Sequence, residues 1–147
     1  MRKKRWIVVG LDGCGKTQLC NYIEGYKSEK RNSQELIYRE KTLQIPSSYL
    51  ENTWMNNIII MLAQNQGKAN IFLLDARSLE SMYSPAYAKA FTKDSIAIVN
   101  HAEYLDEESR DKAKKIVEKI SCDHVLFLSF KTGEGVDELD KWLEKTQ

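Results

Sequence analysis

The chain has 147 residues, and its 22 Lys and Arg against 21 Asp and Glu give a formal net charge of +1. This length predicts one domain over residues 1–147 with a continuous core. The near-neutral charge argues against a nucleic-acid partner, which would require a basic excess. The longest apolar run, residues 58–63, is far shorter than the roughly 20 residues of a membrane span. We therefore expect no membrane span and a cytoplasmic protein, whose three cysteines, without a CxxC pair, stay reduced.

Short apolar runs alternate with helical patterns along the chain. Continuous apolar runs at residues 7–9, 71–74, 96–99 and 125–128 predict parallel strands covered on both faces. Helical patterns occupy residues 16–26, 49–64 and 106–120, and a last one uses Val136, Leu139 and Leu143. Residues 36–38 and 43–45 are two weaker candidate strands, and residues 27–33 are expected to form a loop. This order predicts a parallel α/β sheet with right-handed crossovers.

The strongest motif lies between the first strand and the first helix. The segment from Gly10 to Thr17 fits GxxxxGK[ST] in the strand–helix context that a phosphate-binding loop requires. Glycines let successive backbone N–H groups surround an anion, and the helix N-terminus adds partial positive charge. Lys16 is expected to reach the β- and γ-phosphates, and Thr17 to place its hydroxyl on Mg²⁺.

The loop also carries a carboxylate, Asp12, which phosphates would repel unless it points away, so we expect it to bond within the loop. The spelling GLDGxGKT resembles Arf-like GTPases over this loop alone. Loop and element order together predict an α/β, three-layer P-loop NTPase fold of the Ras-like type with a mostly parallel sheet. The expected phosphate-side residues are Asp12, Gly13, Cys14, Gly15, Lys16, Thr17 and Gln18.

Two later segments are candidates for recognising the base. GTPases use N/T-K-x-D and S-A-K motifs at the carboxyl ends of their last two strands, where open α/β sheets bind ligands. Here these positions hold Asn100, His101 and Glu103, and then Ser129, Phe130 and Lys131. A carboxylate accepts the N–H groups of guanine that adenine lacks, so Glu103 predicts a guanine preference. The alternative is an ordinary strand-to-helix loop, which leaves GTP (GDP) and ATP (ADP) both open as ligands.

The metal-binding side departs from a hydrolysing GTPase. The stretch that corresponds to DxxG is Gln44-Ile45-Pro46-Ser47, which lacks both the Asp and the Gly. We expect Mg²⁺ to be held by Thr17, with Ser33 and Asp75 as further candidate ligands. Ser33 could instead be a solvated loop serine. Asp75 ends an hhhhD string like a Walker B motif, or it caps the turn that follows its strand.

Beyond these motifs, the sequence resembles one family over nearly its whole length. Tyr49-Leu50-Glu51-Asn52 after Pro46 is similar to the P-G-E-Y-x-E-N signature of the EutP/PduV proteins, and the Cys14 to Thr17 and residues 132–139 segments also match. These are small P-loop GTPase-like proteins of ethanolamine and propanediol utilisation. The resemblance implies association with bacterial microcompartments, with a shell or enzyme protein as partner, and an acetate kinase-like activity has been ascribed to some members.

The missing DxxG residues leave three functions open. The first is a nucleotide-dependent switch or slow GTPase, with no catalytic residue assigned. The second is an ATP-dependent phosphotransferase acting on a small acid such as acetate, for which Asp75 and Arg77 are candidate groups. The third is a non-catalytic nucleotide-binding scaffold, which the loss of DxxG favours over fast hydrolysis.

Overall fold

The computed structural model describes residues 3–25 and 35–147. Six strands form one sheet in the order β2-β3-β1-β4-β5-β6. Only the β2–β3 pair is antiparallel, and every other neighbouring pair is parallel. The strands are β1 (Arg5–Val9), β2 (Ile37–Tyr38), β3 (Thr42–Gln44), β4 (Gly67–Asp75), β5 (Ser95–Asn100) and β6 (His124–Phe127). The predicted mostly parallel α/β sheet is confirmed, and the two weak candidate strands form its antiparallel edge.

The helices cover both faces of this sheet. They are α1 (Lys16–Glu24), α2 (Ser47–Glu51), α3 (Asn56–Gln66), α4 (Glu107–Glu118) and α5 (Val136–Lys145), with short 3-10 turns at Thr53–Met55, Tyr87–Ala90 and Ala102–Tyr104. No helix within residues 3–25 and 35–147 is long and apolar enough to cross a membrane.

The core consists of two apolar layers, one on each face of the sheet. Because successive side chains of a strand point to opposite faces, β1 contributes Ile7 and Val9 to one layer and Trp6 and Val8 to the other. Phe72 lies at the centre of the first layer, where Tyr83, Tyr87 and Phe91 contact its ring edge-on at centroid distances of 5.6, 5.4 and 5.1 Å. One apolar layer lies between the sheet and the helices on each face. Helices, sheet and helices therefore form the three-layer arrangement that the sequence predicts.

The predicted continuous helix over residues 49–64 is wrong, because the helix is interrupted at Asn52. Asn52 has an extended backbone (φ −100°, ψ 117°), and its side-chain Nδ2 donates to the carbonyl of Ser48 at 2.9 Å. The backbone N–H of Asn52 donates to the same carbonyl at 3.2 Å, so both bonds share one acceptor where α2 ends. The predicted apolar stripe is interrupted as a result: Leu50 is buried, whereas Trp54 is 68% exposed.

Other helix ends follow their sequence signals. Asp106 caps α4 by accepting from the backbone N–H of Ser109 at 2.8 Å, and the Ser109 hydroxyl accepts from the backbone N–H of Asp106. Such a capping box stabilises a helix by about 1 kcal/mol. Helix α5 packs through Leu139 and also through Trp142, which donates its indole N–H to Asp94. The predicted 16–26 helix ends at Glu24, where Gly25 takes a left-handed backbone (φ 82°). Residue 26 and the predicted loop at residues 27–33 lie outside the described ranges.

Candidate nucleotide-binding site

The loop between β1 and α1 has the shape of a phosphate cradle. Gly13 and Gly15 take left-handed backbone angles (φ 80° and 97°) that residues with a side chain rarely adopt. Lys16 lies at the start of α1 and folds back over the loop, so that its Nζ donates to the carbonyl of Gly10 at 2.6 Å. It is only 7% exposed, and burial lowers its pKa below the usual lysine value. The loop therefore curves around the Lys16 ammonium group. A bound anion would replace the Gly10 carbonyl as the partner of that group.

Three other loop residues differ in what their side chains can do. Cys14 is buried, and burial raises the pKa of its thiol to about 11, so the side chain is a neutral packing group. Its Sγ fills the space above Gly10, where an added Cβ would lie 2.5 Å from the sulfur. Asp12 in the loop and Gln18 in the first turn of α1 are exposed. The predicted hydrogen bond of Asp12 within the loop stays a prediction.

Asn100, at the end of β5, joins the base side of the site to the loop. Its Nδ2 donates to the carbonyl of Cys14 at 3.1 Å, and the residue is 1% exposed. The fit is close, because a Cβ on Gly15 would lie 2.1 Å from that nitrogen. Asn100 Oδ1 is buried and has no hydrogen-bond partner within the described residues.

The two predicted base-recognition segments come together at the carboxyl ends of β5 and β6. The backbone N–H of Ala102 donates to the carbonyl of Leu128 at 3.0 Å, which fixes one segment against the other. A hydrogen bond from the buried Ser129 hydroxyl lowers the pKa of Glu103, so the carboxylate is ionised at neutral pH. Glu103 Oε1 is also buried and, within the described part of the chain, has no partner.

Phe130 and Lys131 differ in their surroundings. Phe130 lies against the Tyr22 ring of α1 with a centroid distance of 5.0 Å, while Lys131 is exposed. The Phe130 side chain thus packs on α1, which leaves the backbone of residues 129–132 at the rim of the site. That rim is ordered by the Ser129 Oγ, which accepts from the backbone N–H of Thr132 at 3.1 Å.

Gln44 is the first residue of the stretch that corresponds to DxxG in the sequence, and it lies beside Thr17. Gln44 ends β3 and is 6% exposed, and its Nε2 donates to the Thr17 hydroxyl at 3.3 Å. Its Oε1 is buried without a partner among the described residues. Ser33 lies outside the described residues. No cluster of three or more His, Cys, Asp or Glu side chains suited to a metal occurs within residues 3–25 and 35–147.

Asp75 makes the turn contact that we gave as the alternative to a metal role. The backbone N–H of Arg77 donates to Asp75 Oδ1 at 2.9 Å, and the Arg77 side chain forms an ion pair with Oδ2 at 2.8 Å. Burial alone would raise the pKa of Asp75, but the Arg77 hydrogen bonds and the nearby His101 hold it below its usual range. Its metal role stays a prediction.

Two contacts of the site were not predicted from the sequence. The Arg77 guanidinium donates to the carbonyl of Gly13 at 2.9 Å, and the Gln44 amide reaches Thr17 as described. The i, i+2 spacing of Asp75 and Arg77 was the only local signal for the first contact. Nothing in the sequence around Gln44 distinguished it from an ordinary strand residue.

The residues present fit a purine nucleotide. The left-handed glycines and Lys16 form a cradle for phosphates, and Asn100 Oδ1 and Glu103 Oε1 are buried acceptors that need donors. A guanine edge presents N–H donors at N1 and N2, whereas an adenine edge lacks that pair. For Mg²⁺, the Thr17 hydroxyl would be an acceptable but neutral ligand, and the neighbouring Gln44 turns its amide nitrogen towards it and adds no charge.

Comparison with known proteins identifies a family for this chain. A family model described as ethanolamine utilisation - propanediol utilisation, PduV-EutP, matches residues 3–145. The chain belongs to the PduV-EutP family. It is 24% identical over 136 residues to the propanediol utilization protein PduV of Citrobacter freundii, which covers 92% of this chain and 90% of that protein.

Solved structures share the fold at low sequence identity. A probable GTP-binding protein engB matches with a TM-score of 0.67 and 14% identity over 97% of both chains. The bacterial selenocysteine-specific elongation factor EF-Sec has a TM-score of 0.66 and 17% identity, and this chain spans 29% of its length. A GTP-binding protein of Sulfolobus solfataricus, solved with GDP, has a TM-score of 0.57 and 17% identity, with 97% of this chain and 52% of that one covered. This PduV-EutP protein therefore has the fold of the P-loop GTPases.

Proposed function

We propose that this PduV-EutP protein binds a guanine nucleotide with Mg²⁺ at the loop between β1 and α1 and hydrolyses GTP slowly or not at all. The observation that carries the proposal is the buried contact of Asn100 with the carbonyl of Cys14. That contact joins the phosphate loop to the segment that bears Glu103, so one ligand can engage both. The two halves are thus parts of a single site.

The guanine preference rests on Glu103. The carboxylate is ionised, is oriented by Ser129, and keeps one buried oxygen without a partner in the described residues. A guanine N1–H or N2–H donor would satisfy that oxygen, while adenine would leave it unpaired. Unpaired buried acceptors cost about 1–3 kcal/mol, which is enough for a measurable selectivity.

Slow hydrolysis rests on the segment after β3. Gln44 supplies an amide where a carboxylate would help to hold Mg²⁺, and Ile45, Pro46 and Ser47 include no glycine that could approach a γ-phosphate. Ile45 and Pro46 are buried, which packs this stretch into the protein. A neutral amide attracts a divalent cation less than a carboxylate does, so the transition-state charge is less well neutralised.

Membership of the family supports a role in propanediol or ethanolamine utilisation. We extend the proposal to a cytoplasmic protein that works beside a microcompartment shell or enzyme protein, with nucleotide state as the signal. The single nucleotide-binding domain over residues 1–147 belongs to the same proposal.

Calorimetric titration of nucleotide-free protein with GDP and with ADP, each with Mg²⁺, tests the ligand. We expect GDP to bind at least about tenfold more tightly, which is about 1.4 kcal/mol. Glu103→Ala should remove that preference, and Lys114→Ala, an exposed charge on α4, should keep it. Equal affinities in the unmodified protein would refute guanine recognition and move the ATP-dependent phosphotransferase ahead.

Turnover is measured separately by phosphate release from GTP. We expect fewer than about 10⁻³ turnovers per second for the protein alone, at or below the intrinsic rates of GTPases that keep these residues. Multiple turnovers per second would contradict the role assigned to the segment after β3.

A further inference from the structure

Arg77 occupies an unusual place beside the phosphate loop. It follows β4, and its guanidinium donates both to the Asp75 carboxylate and to the carbonyl of Gly13, the latter at 2.9 Å. The Arg77 side chain remains 46% exposed, so part of the guanidinium faces solvent. A planar cation held at several points but open on one side is suited to pack on a flat ligand group.

His101 does not fill the position that its place in the sequence suggests. This residue stands where GTPases have a lysine whose stem packs over the base. In the structure it has a left-handed backbone (φ 60°), and its ring Nδ1 lies 3.2 Å from Asp75 Oδ1. The imidazole is therefore held against Asp75, the same carboxylate that orients Arg77.

Arg77 lies on the same rim of the loop as Asn100. Arg77 bonds to the carbonyl of Gly13 and Asn100 to that of Cys14, so the two side chains hold consecutive peptide groups. The backbone N–H of Ala76, which precedes Arg77, donates to the carbonyl of Asn100 at 2.9 Å. The Arg77 guanidinium and the His101 ring share the Asp75 carboxylate, and His101 begins the segment that bears Glu103.

We propose that the Arg77 guanidinium packs against the nucleobase, in place of the lysine that His101 replaces, with His101 and Asp75 as positioning residues. The inference rests on the proposed nucleotide binding and adds a residue to that site. Because every base has a π-face, this contact strengthens purine binding without distinguishing guanine from adenine. Glu103 gives selectivity, and Arg77 gives affinity.

The test is calorimetry of Arg77→Ala with GDP, ADP and pyrophosphate, all with Mg²⁺. We expect about a tenfold loss of affinity for both GDP and ADP, about 1.4 kcal/mol each, so their ratio is unchanged. Pyrophosphate has no base and should bind the variant as it binds the unmodified protein. Arg77→Lys restores a stem that can cover the base and should recover most of the lost GDP affinity.

The matched control is Lys93→Ala. Lys93 also donates to a backbone carbonyl, that of Gly67, but at the opposite end of β4. This variant should bind all three ligands normally, and thermal unfolding of each variant shows whether it is folded.

Three results decide between the alternatives. Unchanged GDP affinity in Arg77→Ala would overturn the inference while leaving the nucleotide site intact. Equal losses for GDP and pyrophosphate would also overturn it, because Arg77 would then only support the loop. Failure of the unmodified protein to bind GDP would instead refute the proposed function, and the inference with it.

Discussion

The loops that follow β1 and β3 begin at neighbouring strands of the sheet, yet they differ in what they retain. The loop after β1 keeps its glycines, its buried lysine and its tie to Asn100. The segment after β3 ends its strand with an amide and continues into buried Ile45 and Pro46. Binding a nucleotide and hydrolysing it depend on different residues, and the proposed function assigns binding to the loop after β1 and slow turnover to the segment after β3.

That comparison has a physical basis in charge. Lys16 is a cation that an anion would satisfy, whereas Gln44 brings no charge to a divalent metal. In the proposed function, Lys16 supports binding of the phosphates, and the neutral Gln44 holds Mg²⁺ less strongly than a carboxylate would. Three substitutions break or sharpen this contrast.

Removing the loop cation should have the largest effect. Lys16→Ala takes away the only buried lysine of the described residues and its place beside Gly10. Truncating one partner of a buried, hydrogen-bonded charge pair costs about 2–5 kcal/mol, so GDP affinity should fall by about 100-fold. Calorimetry measures this, and Lys114→Ala on the surface of α4 is the control. Full affinity in Lys16→Ala would show that the loop does not bind phosphate.

Filling the space between the loop and Asn100 should have the second-largest effect. In Gly15→Ala the new Cβ meets Asn100 Nδ2 at 2.1 Å and the backbone has φ +97°. We expect the free energy of unfolding to fall by about 2–3 kcal/mol. Gly13→Ala is the matched control, because its φ is +80° but nothing lies within 4 Å of the added Cβ. It should lose only about 1 kcal/mol, the cost of the left-handed backbone.

Chemical denaturation compares the two glycine variants. Equal losses would mean that the Asn100 contact does not constrain the loop. The larger loss in Gly15→Ala would locate the rigidity of the cradle in its link to β5.

Placing a carboxylate at the end of β3 should have the smallest effect, and it tests the segment after β3. Gln44→Asp places a negative charge beside Thr17, and charged ligands raise the affinity of a site for Mg²⁺. We expect the gain in nucleotide affinity on adding Mg²⁺ to increase about tenfold, about 1.4 kcal/mol. The Gln44→Asn side chain is as long as that of Gln44→Asp but carries no charge, so this variant should show no such increase. Titrations with Mg²⁺ and with a chelator measure it; identical behaviour of the two variants would argue against a metal near Gln44.

The sequence predicted the parts of this molecule that depend on neighbours along the chain. The phosphate loop and the strands each have a local pattern, and the P-loop GTPase fold follows from their order. The contacts of Arg77 with Gly13 and of Asn100 with Cys14 join residues 64 and 86 positions apart. Such contacts depend on how strands are placed in the sheet, which periodicity does not encode.

The error at residues 49–64 has the same origin. The four-residue spacing of apolar side chains is real, but it does not report the backbone angles of Asn52. A side-chain hydrogen bond to Ser48 and an extended conformation end α2 there, and the 3-10 turn that follows rotates the next residues. Helix periodicity thus identified the segment and missed its bend.

That bend gives the protein an optical property. Of its three tryptophans, Trp6 and Trp142 are 2% and 5% exposed, whereas Trp54, just beyond the break, is 68% exposed. Indole emission shifts to longer wavelength in water, and only a water-exposed ring meets a dissolved quencher. The native fluorescence therefore divides into a shielded component from the core and an accessible one from Trp54. The accessible component is an intrinsic reporter, already in the chain, for any rearrangement of the segment after β3.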